Sequence, residues 1–222
     1  MSNSVVKNLE QIQLTIPEHV TLVAVSKTKP IESIQELYDA GQRIFGENRV
    51  QELVDKYEVL PKDIHWHLIG HLQRNKVKYI APFVEMIHSI DSERLLDEVN
   101  IQSKKNNRKI KVLLQFYIAQ EETKFGFDWN EIQDLFSRRN PETFDSIDFC
   151  GVMGMASFSD NEKQVRNEFK DLKTIFNHLN ETFFLGSTSF SVISMGMSGD
   201  YQIAIEEGST MVRVGSSLFG AR

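Results

Sequence analysis

Short apolar runs alternate with amphipathic stretches along the whole chain. The first run, Thr21 to Ser26, is rich in β-branched residues and apolar on both faces, which predicts a strand covered from both sides. Pro30 then opens a stretch in which Ile31, Ile34, Leu37 and Tyr38 recur at helical spacing, and Gly41 stands where a helix would stop. The alternation continues. Arg43 to Phe45 precedes a helix over Val50 to Tyr57, His65 to Ile69 one over Asn75 to Ile80, and Val84 to Ile90 one over Glu93 to Ser103. In the second half, Lys111 to Tyr117 leads to a helix over Trp129 to Ser137, and Ile147 to Met153 to a long helix over Asn161 to Leu179. Phe190 to Ser194 leads to a helix over Tyr201 to Glu207, and Met211 to Val214 to a short turn through Leu218 and Phe219. Val5 to Leu14 reads as an extra helix ahead of the first strand.

Eight strands each followed by a helix imply an α/β fold with parallel strands and right-handed crossovers, closed as a (β/α)8 TIM barrel. The 222 residues sit near the lower end for such a barrel, for which ~200 residues is the minimum and ~250 typical. No Pro/Gly/Ser linker or composition shift divides the chain, so residues 1–222 are expected to form a single domain. The competing fold is an open doubly wound sheet, which should carry a Gly-rich turn after its first strand; here that turn is Lys27-Thr28-Lys29-Pro30.

Composition narrows the function. Hydrophobic residues at 41% and charged residues at 25% are those of a soluble core-forming protein. The net charge of −6 argues against a surface built for nucleic acid or anionic lipid, and the basic run Lys104, Lys105, Arg108 and Lys109 reads as a solvated helix end. The only cysteine, Cys150, excludes an internal disulfide and reads as a small buried hydrophobe. The N-terminus lacks a signal-peptide apolar region and no run approaches a membrane span, so a cytoplasmic protein is expected.

In a barrel, chemistry belongs at the C-terminal ends of the strands, with phosphate bound by the loops after strands seven and eight. Those loops are Ser194-Met195-Gly196-Met197-Ser198-Gly199-Asp200 and Arg213-Val214-Gly215-Ser216-Ser217-Leu218-Phe219-Gly220, whose glycines and serines offer backbone N–H and hydroxyl donors to an anion. Period-2 alternation puts Val23, Val25 and Lys27 on one face of the first strand, so an inward Val23 would aim Lys27 into the mouth. A partly desolvated amine there could form a Schiff base, and the same lysine could equally serve as a substrate-binding charge. Met211, Arg213 and Gly215 share a face of strand eight, so Arg213 could also reach the mouth. His65, His67 and His71 suggest structural or polar-mouth roles more than a metal site, and Met153 and Met155 read as barrel packing.

Five stretches, taken in order, carry a resemblance. Val25 to Pro30 (VSKTKP), Phe45 to Glu52 (FGENRVQE), Trp66 to Lys76 (WHLIGHLQRNK), Ser194 to Ser198 (SMGMS) and Gly208 to Gly215 (GSTMVRVG) resemble the signatures of the YggS/PROSC family of pyridoxal 5′-phosphate (PLP) homeostasis proteins. The resemblance implies a fold-type III PLP barrel similar to that of alanine racemase, with PLP as cofactor and no established catalytic turnover. It implies that Lys27 holds PLP as an internal aldimine and that Ser198, Gly215 and Ser216 bind its phosphate, with Ser194, Gly196 and Met197 shaping that cup. It places Asn48 near the cofactor and Arg213 against the pyridine nitrogen. Lys124 resembles the family's loop lysine and could assist PLP entry or transfer or equally be a solvated loop charge, and a part for Lys29 or Lys124 in PLP release stays open.

The resulting expectation is a monomeric, non-enzymatic PLP holder in vitamin B6 homeostasis, with PLP-dependent apoenzymes as recipients and neither nucleic acid nor membrane as partner. Two alternatives stand beside it. One is a PLP-dependent amino-acid racemase, which needs acid/base groups on both faces of the cofactor. The other is a Schiff-base aldolase acting on a phosphorylated sugar.

Overall fold

The computed structural model describes residues 4–119 and 125–220. Its first half contains α1 (Ser4–Gln13), β1 (Thr21–Val25), α2 (Ile31–Asp39), β2 (Ile44–Glu47), α3 (Val50–Val59), β3 (His65–Leu68), α4 (Val77–Ile80), β4 (Met86–Ile90) and α5 (Glu93–Lys105). There follow β5 (Ile110–Gln115), α6 (Trp129–Arg138), β6 (Ile147–Met153), α7 (Glu162–Phe183), β7 (Val192–Met197), α8 (Tyr201–Glu206), β8 (Met211–Val214) and α9 (Ser216–Phe219). The eight strands form a closed barrel in chain order, and all neighbours are parallel, including β1 with β8 through Thr21↔Met211 to Ala24↔Val214. The expected (β/α)8 architecture is the one observed, and no helix among the described residues is long and apolar enough to cross a membrane.

Element ends differ from the sequence reading where tertiary contacts take over. The strand expected over Phe190 to Ser194 is β7, Val192–Met197; its register against β8 shifts between Ser194 and Met197, which lets it run on past Ser194. The helix expected to end at Leu179 continues to Phe183, whose ring meets Phe136 of α6 at 5.4 Å. The helix expected over Asn75 to Ile80 is a 3-10 turn at Arg74–Lys76 continued by the single turn of α4.

Alternation along the strands separates two apolar layers. Val23, Met86, Leu113, Cys150, Met153 and Met211 fill the barrel, while Ala24, Phe45, Trp66, Leu68 and Val212 pack against the helices. Val23 therefore faces inward, and the same parity carries through Val25 to Lys27. Burial pushes the Cys150 thiol up to about 12, as suits an inert apolar filler.

Above this apolar plug the interior is polar. Arg213 donates through Nη1 to Ser194 O (2.8 Å) and Ser194 Oγ (2.6 Å), and through Nη2 to Gly154 O (3.0 Å). Ser194 Oγ lies 3.1 Å from His88 Nδ1, and His88 Nε2 lies 2.9 Å from His67 Nδ1. Arginine accepts nothing, so the Ser194 hydroxyl proton points to His88 Nδ1; His88 then donates from Nε2, and His67 carries its proton on Nε2. Donor direction along the whole chain follows from the guanidinium at its end.

Desolvation lowers both imidazoles, His67 to about 3 and His88 well below its ordinary value, the latter with help from neighbouring His67 and Arg213. An unfolded chain protonates these histidines below its ordinary value of 6.5 while the folded barrel does not, so stability falls as pH drops from 6.5 towards 3. Chemical denaturation between about pH 6.5 and pH 5 should show a loss of about 1.4 kcal/mol per pH unit for each histidine. His67→Gln should remove one histidine's share of that slope, and an unchanged slope in the variant would show that His67 is not held neutral by the fold.

Candidate functional site

A cavity of about 530 Å³ opens at the C-terminal mouth of the barrel, within the range of roughly 300–1,000 Å³ common for small-molecule sites. Lys27, Asn48, Met197, Ser198, Arg213, Gly215 and Ser216 all line it. Lys27 reaches it because β1 ends at Val25 and the turn that follows keeps the inward parity. Thr28, next in the chain, adopts a left-handed backbone with φ of 62°, a costly conformation for a β-branched residue. Asn48 follows β2 and leans on Gly70, where a Cβ would lie 2.5 Å from Asn48 O; only glycine permits that approach.

The loops after β7 and β8 meet beside the Lys27 turn, since β8 is the neighbour of β1. Ser198 Oγ accepts from the N–H groups of Gly215 (3.1 Å) and Ser217 (3.4 Å), and Ser217 Oγ donates to Ser198 O (3.4 Å). Ser194 and Gly196 do not line the cavity. Ser194 sits beneath it as the partner of Arg213, while Gly196, with φ of 95°, lets the loop turn against α8, where a Cβ would come 2.6 Å from that of Ala204. Asp200 caps the turn by accepting from Met197 N–H at 2.5 Å, and burial raises its carboxyl above the ordinary value.

Arg213 is the buried cation of the site, and desolvation lowers it only to about 10, so it stays charged at neutral pH. Its contacts use three of the five guanidinium protons, both on Nη1 and one on Nη2. The Nε proton and the second Nη2 proton have no protein acceptor among the described residues, and Arg213 lines the cavity. The mouth thus offers a primary amine and two guanidinium donors that have no protein partner among the described residues, beside a loop pair rich in N–H and hydroxyl groups.

Some placements differ from the sequence reading. Met155, expected in barrel packing, lies beyond the end of β6, is 42% exposed and lines the cavity; Met153 is the packed member of the pair. The three histidines do not converge. His65 is exposed at the start of β3, His67 is interior, and His71 lies outside, 3.1 Å from Asp91. Lys29 lines the cavity and donates to Gly220 O at 2.9 Å, whereas Lys124 lies outside the described residues.

The sequence reading missed His88 and the loop after β6. Ser157 in that loop lines the cavity, and buried Glu168 of α7 fixes it by accepting from its N–H (2.7 Å) and Oγ (2.8 Å). The available signal was positional, since loops after every barrel strand open at this face.

The family profile described as "Alanine racemase, N-terminal domain" matches residues 2–222. A protein of Aquifex aeolicus named pyridoxal phosphate homeostasis protein is 40% identical over 202 residues, covering 90% of this chain and 86% of that protein. The protein of that name from Escherichia coli is 35% identical over 241 residues, covering 99% and 97%. Among solved structures, PipY of Synechococcus elongatus with PLP bound superposes with a TM-score of 0.87 at 32% identity, over 98% of this chain and 100% of that one. Alanine racemase from Bartonella henselae shares the fold, with a TM-score of 0.72 at 18% identity, this chain spanning 58% of its length. With its motifs, its barrel and these relatives in agreement, the chain belongs to the pyridoxal phosphate homeostasis protein family, built on the barrel that alanine racemases carry as their N-terminal domain.

Proposed function

We propose that this protein binds PLP at the mouth of its barrel and holds it on Lys27 for vitamin B6 homeostasis, without catalytic turnover. One observation carries the reading: a single cavity gathers a partner for each reactive handle of PLP. The Lys27 amine suits the aldehyde, the spare Arg213 donors suit the pyridine nitrogen, and the Ser198, Gly215 and Ser216 loops suit the phosphate. Asn48 would flank the ring, with Ser194, Gly196 and Met197 holding the shape of the cup.

PLP supplies an aldehyde that condenses with the Lys27 amine, a C=N bond replacing C=O and the oxygen leaving as water. The protein's own residues orient and shield it. Arg213 stays protonated and would donate to the ring nitrogen, which would disfavour protonation there and weaken the ring as an electron sink. No tyrosine or histidine lines the cavity among the described residues to complement Lys27 as the second acid/base group that racemisation needs. This supports a holder over the racemase alternative. The proposal extends to a single-domain cytoplasmic monomer that releases PLP to PLP-dependent apoenzymes.

Purified protein should be yellow, borohydride should bleach it and fix a pyridoxyl group on Lys27, and Lys27→Ala should be colourless. Protein that gains no visible absorbance with added PLP would overturn the reading. In deuterated water, no amino acid should exchange its α-proton on the loaded protein; rapid exchange with any one would make it an enzyme. Ser198→Ala should weaken PLP binding roughly fivefold, the size of one lost neutral hydrogen bond, while leaving the affinity for unphosphorylated pyridoxal unchanged. Equal losses for both ligands would remove Ser198 from the phosphate site.

A further inference from the structure

The Lys27 side chain makes no hydrogen bond or ion pair among the described residues, yet the residues on either side of it are tied down. Ser26 is fully buried: its N–H donates to Gly46 O (3.0 Å), its hydroxyl to Glu47 Oε1 (2.6 Å), and its carbonyl accepts from Lys56 Nζ (2.7 Å) and Lys29 N–H (3.0 Å). Thr28, in its left-handed conformation, donates its N–H to Glu52 Oε1 at 2.5 Å. The Lys56 ammonium joins the two sides. Its three protons go to Ser26 O, Glu47 Oε1 and Glu52 Oε1, each at 2.7 Å.

This cluster lies between the barrel wall and α3, behind the strand from the cavity. Glu47 points to the helix layer, as Phe45 does two residues earlier, and Lys56 and Glu52 come from α3. Glu47 is wholly buried and Lys56 nearly so, and Glu47 Oε2 has no hydrogen-bond partner among the described residues. A buried ion pair seldom stabilises a fold more than apolar side chains of the same shape would. Here the charged groups converge on the two residues that bracket Lys27, including the one with the unfavourable backbone.

We propose that Glu47, Lys56 and Glu52 are positioning residues for Lys27. They clamp residues 26 and 28 from the helix side, which sets the direction of the Lys27 Cα–Cβ bond and leaves its amine uncommitted in the mouth. The cluster carries one positive and two negative charges, while Lys29, Asp160, Asp200 and Arg213 face Lys27 from the cavity. The proposal rests on Lys27 being the PLP lysine.

The test uses the full chain and two ligands, PLP and pyridoxine 5′-phosphate, which has a hydroxymethyl group in place of the aldehyde and cannot condense with an amine. Glu52 is partly exposed, so Glu52→Ala should fold; it should lower PLP affinity about tenfold and leave that for pyridoxine 5′-phosphate within about twofold. Glu52→Gln, which keeps a carbonyl acceptor for Thr28 N–H and Lys56, should restore most of the PLP affinity. Glu47→Gln combined with Lys56→Met, which removes both buried charges together, should behave like Glu52→Ala. Parallel losses for the two ligands, or no loss for either, would overturn the positioning role. Lys27→Ala distinguishes the two readings: if it still bound PLP more tightly than pyridoxine 5′-phosphate, the assignment of Lys27 itself would fall.

Discussion

A guanidinium enclosed by a parallel barrel must find acceptors inside it, and the upper interior of this protein is arranged around that requirement. Arg213 is 4% exposed, and unpaired charge at such a depth is strongly unfavourable. Ser194 meets the demand with both its carbonyl and its hydroxyl, and Gly154 adds a second carbonyl. The Ser194 carbonyl also takes Gly154 N–H at 3.1 Å, so β7 and the segment after β6 close around the same charge. Because the hydroxyl is filled as an acceptor by Arg213, its proton turns to His88, and the two histidines behind it must remain neutral and ordered. The Nε and second Nη2 protons of this guanidinium have no protein acceptor among the described residues, and the residue lines the cavity.

Much of this was readable from the chain because it depends on period and order. The βα alternation fixes a barrel, and period-2 parity from Val23 predicts the direction of Lys27 although β1 ends at Val25. The loops after β7 and β8 were readable for the same reason, since barrel order makes them neighbours. What could not be read is what depends on contact across the barrel. His88 and Ser194 are 106 positions apart, and nothing local in Ile87-His88-Ser89 marks that histidine as the partner of a distant serine. Met155 misled because Gly151-Val152-Met153-Gly154-Met155 is apolar throughout, while hydrogen bonding, not hydropathy, ends β6 at Met153.

The helix layer contributes more than a cover. Polar side chains reach the mouth loops from behind: Lys56 and Glu52 of α3, with Glu47 of β2 between them and the barrel, to residues 26 and 28, and Glu168 of α7 to Ser157. Even α1, outside the barrel, acts in this way, with Asn8 donating to Leu218 O at 2.9 Å and Thr15 Oγ1 lying 2.8 Å from the Tyr201 hydroxyl. Those contacts brace α9 and α8, the two short helices that follow the serine-rich loops. Loops at a barrel mouth need such ties, because a short turn with few apolar contacts has little of its own to hold one conformation.

These ties also bear on the charges that the mouth presents. The side chains deepest in it are fixed in one protonation state at neutral pH. Arg213 remains cationic with its pKa near 10, and the histidines that could have exchanged protons lie below it, held neutral by burial. The deep wall of the mouth therefore presents fixed charge and a fixed direction of hydrogen bonding at neutral pH.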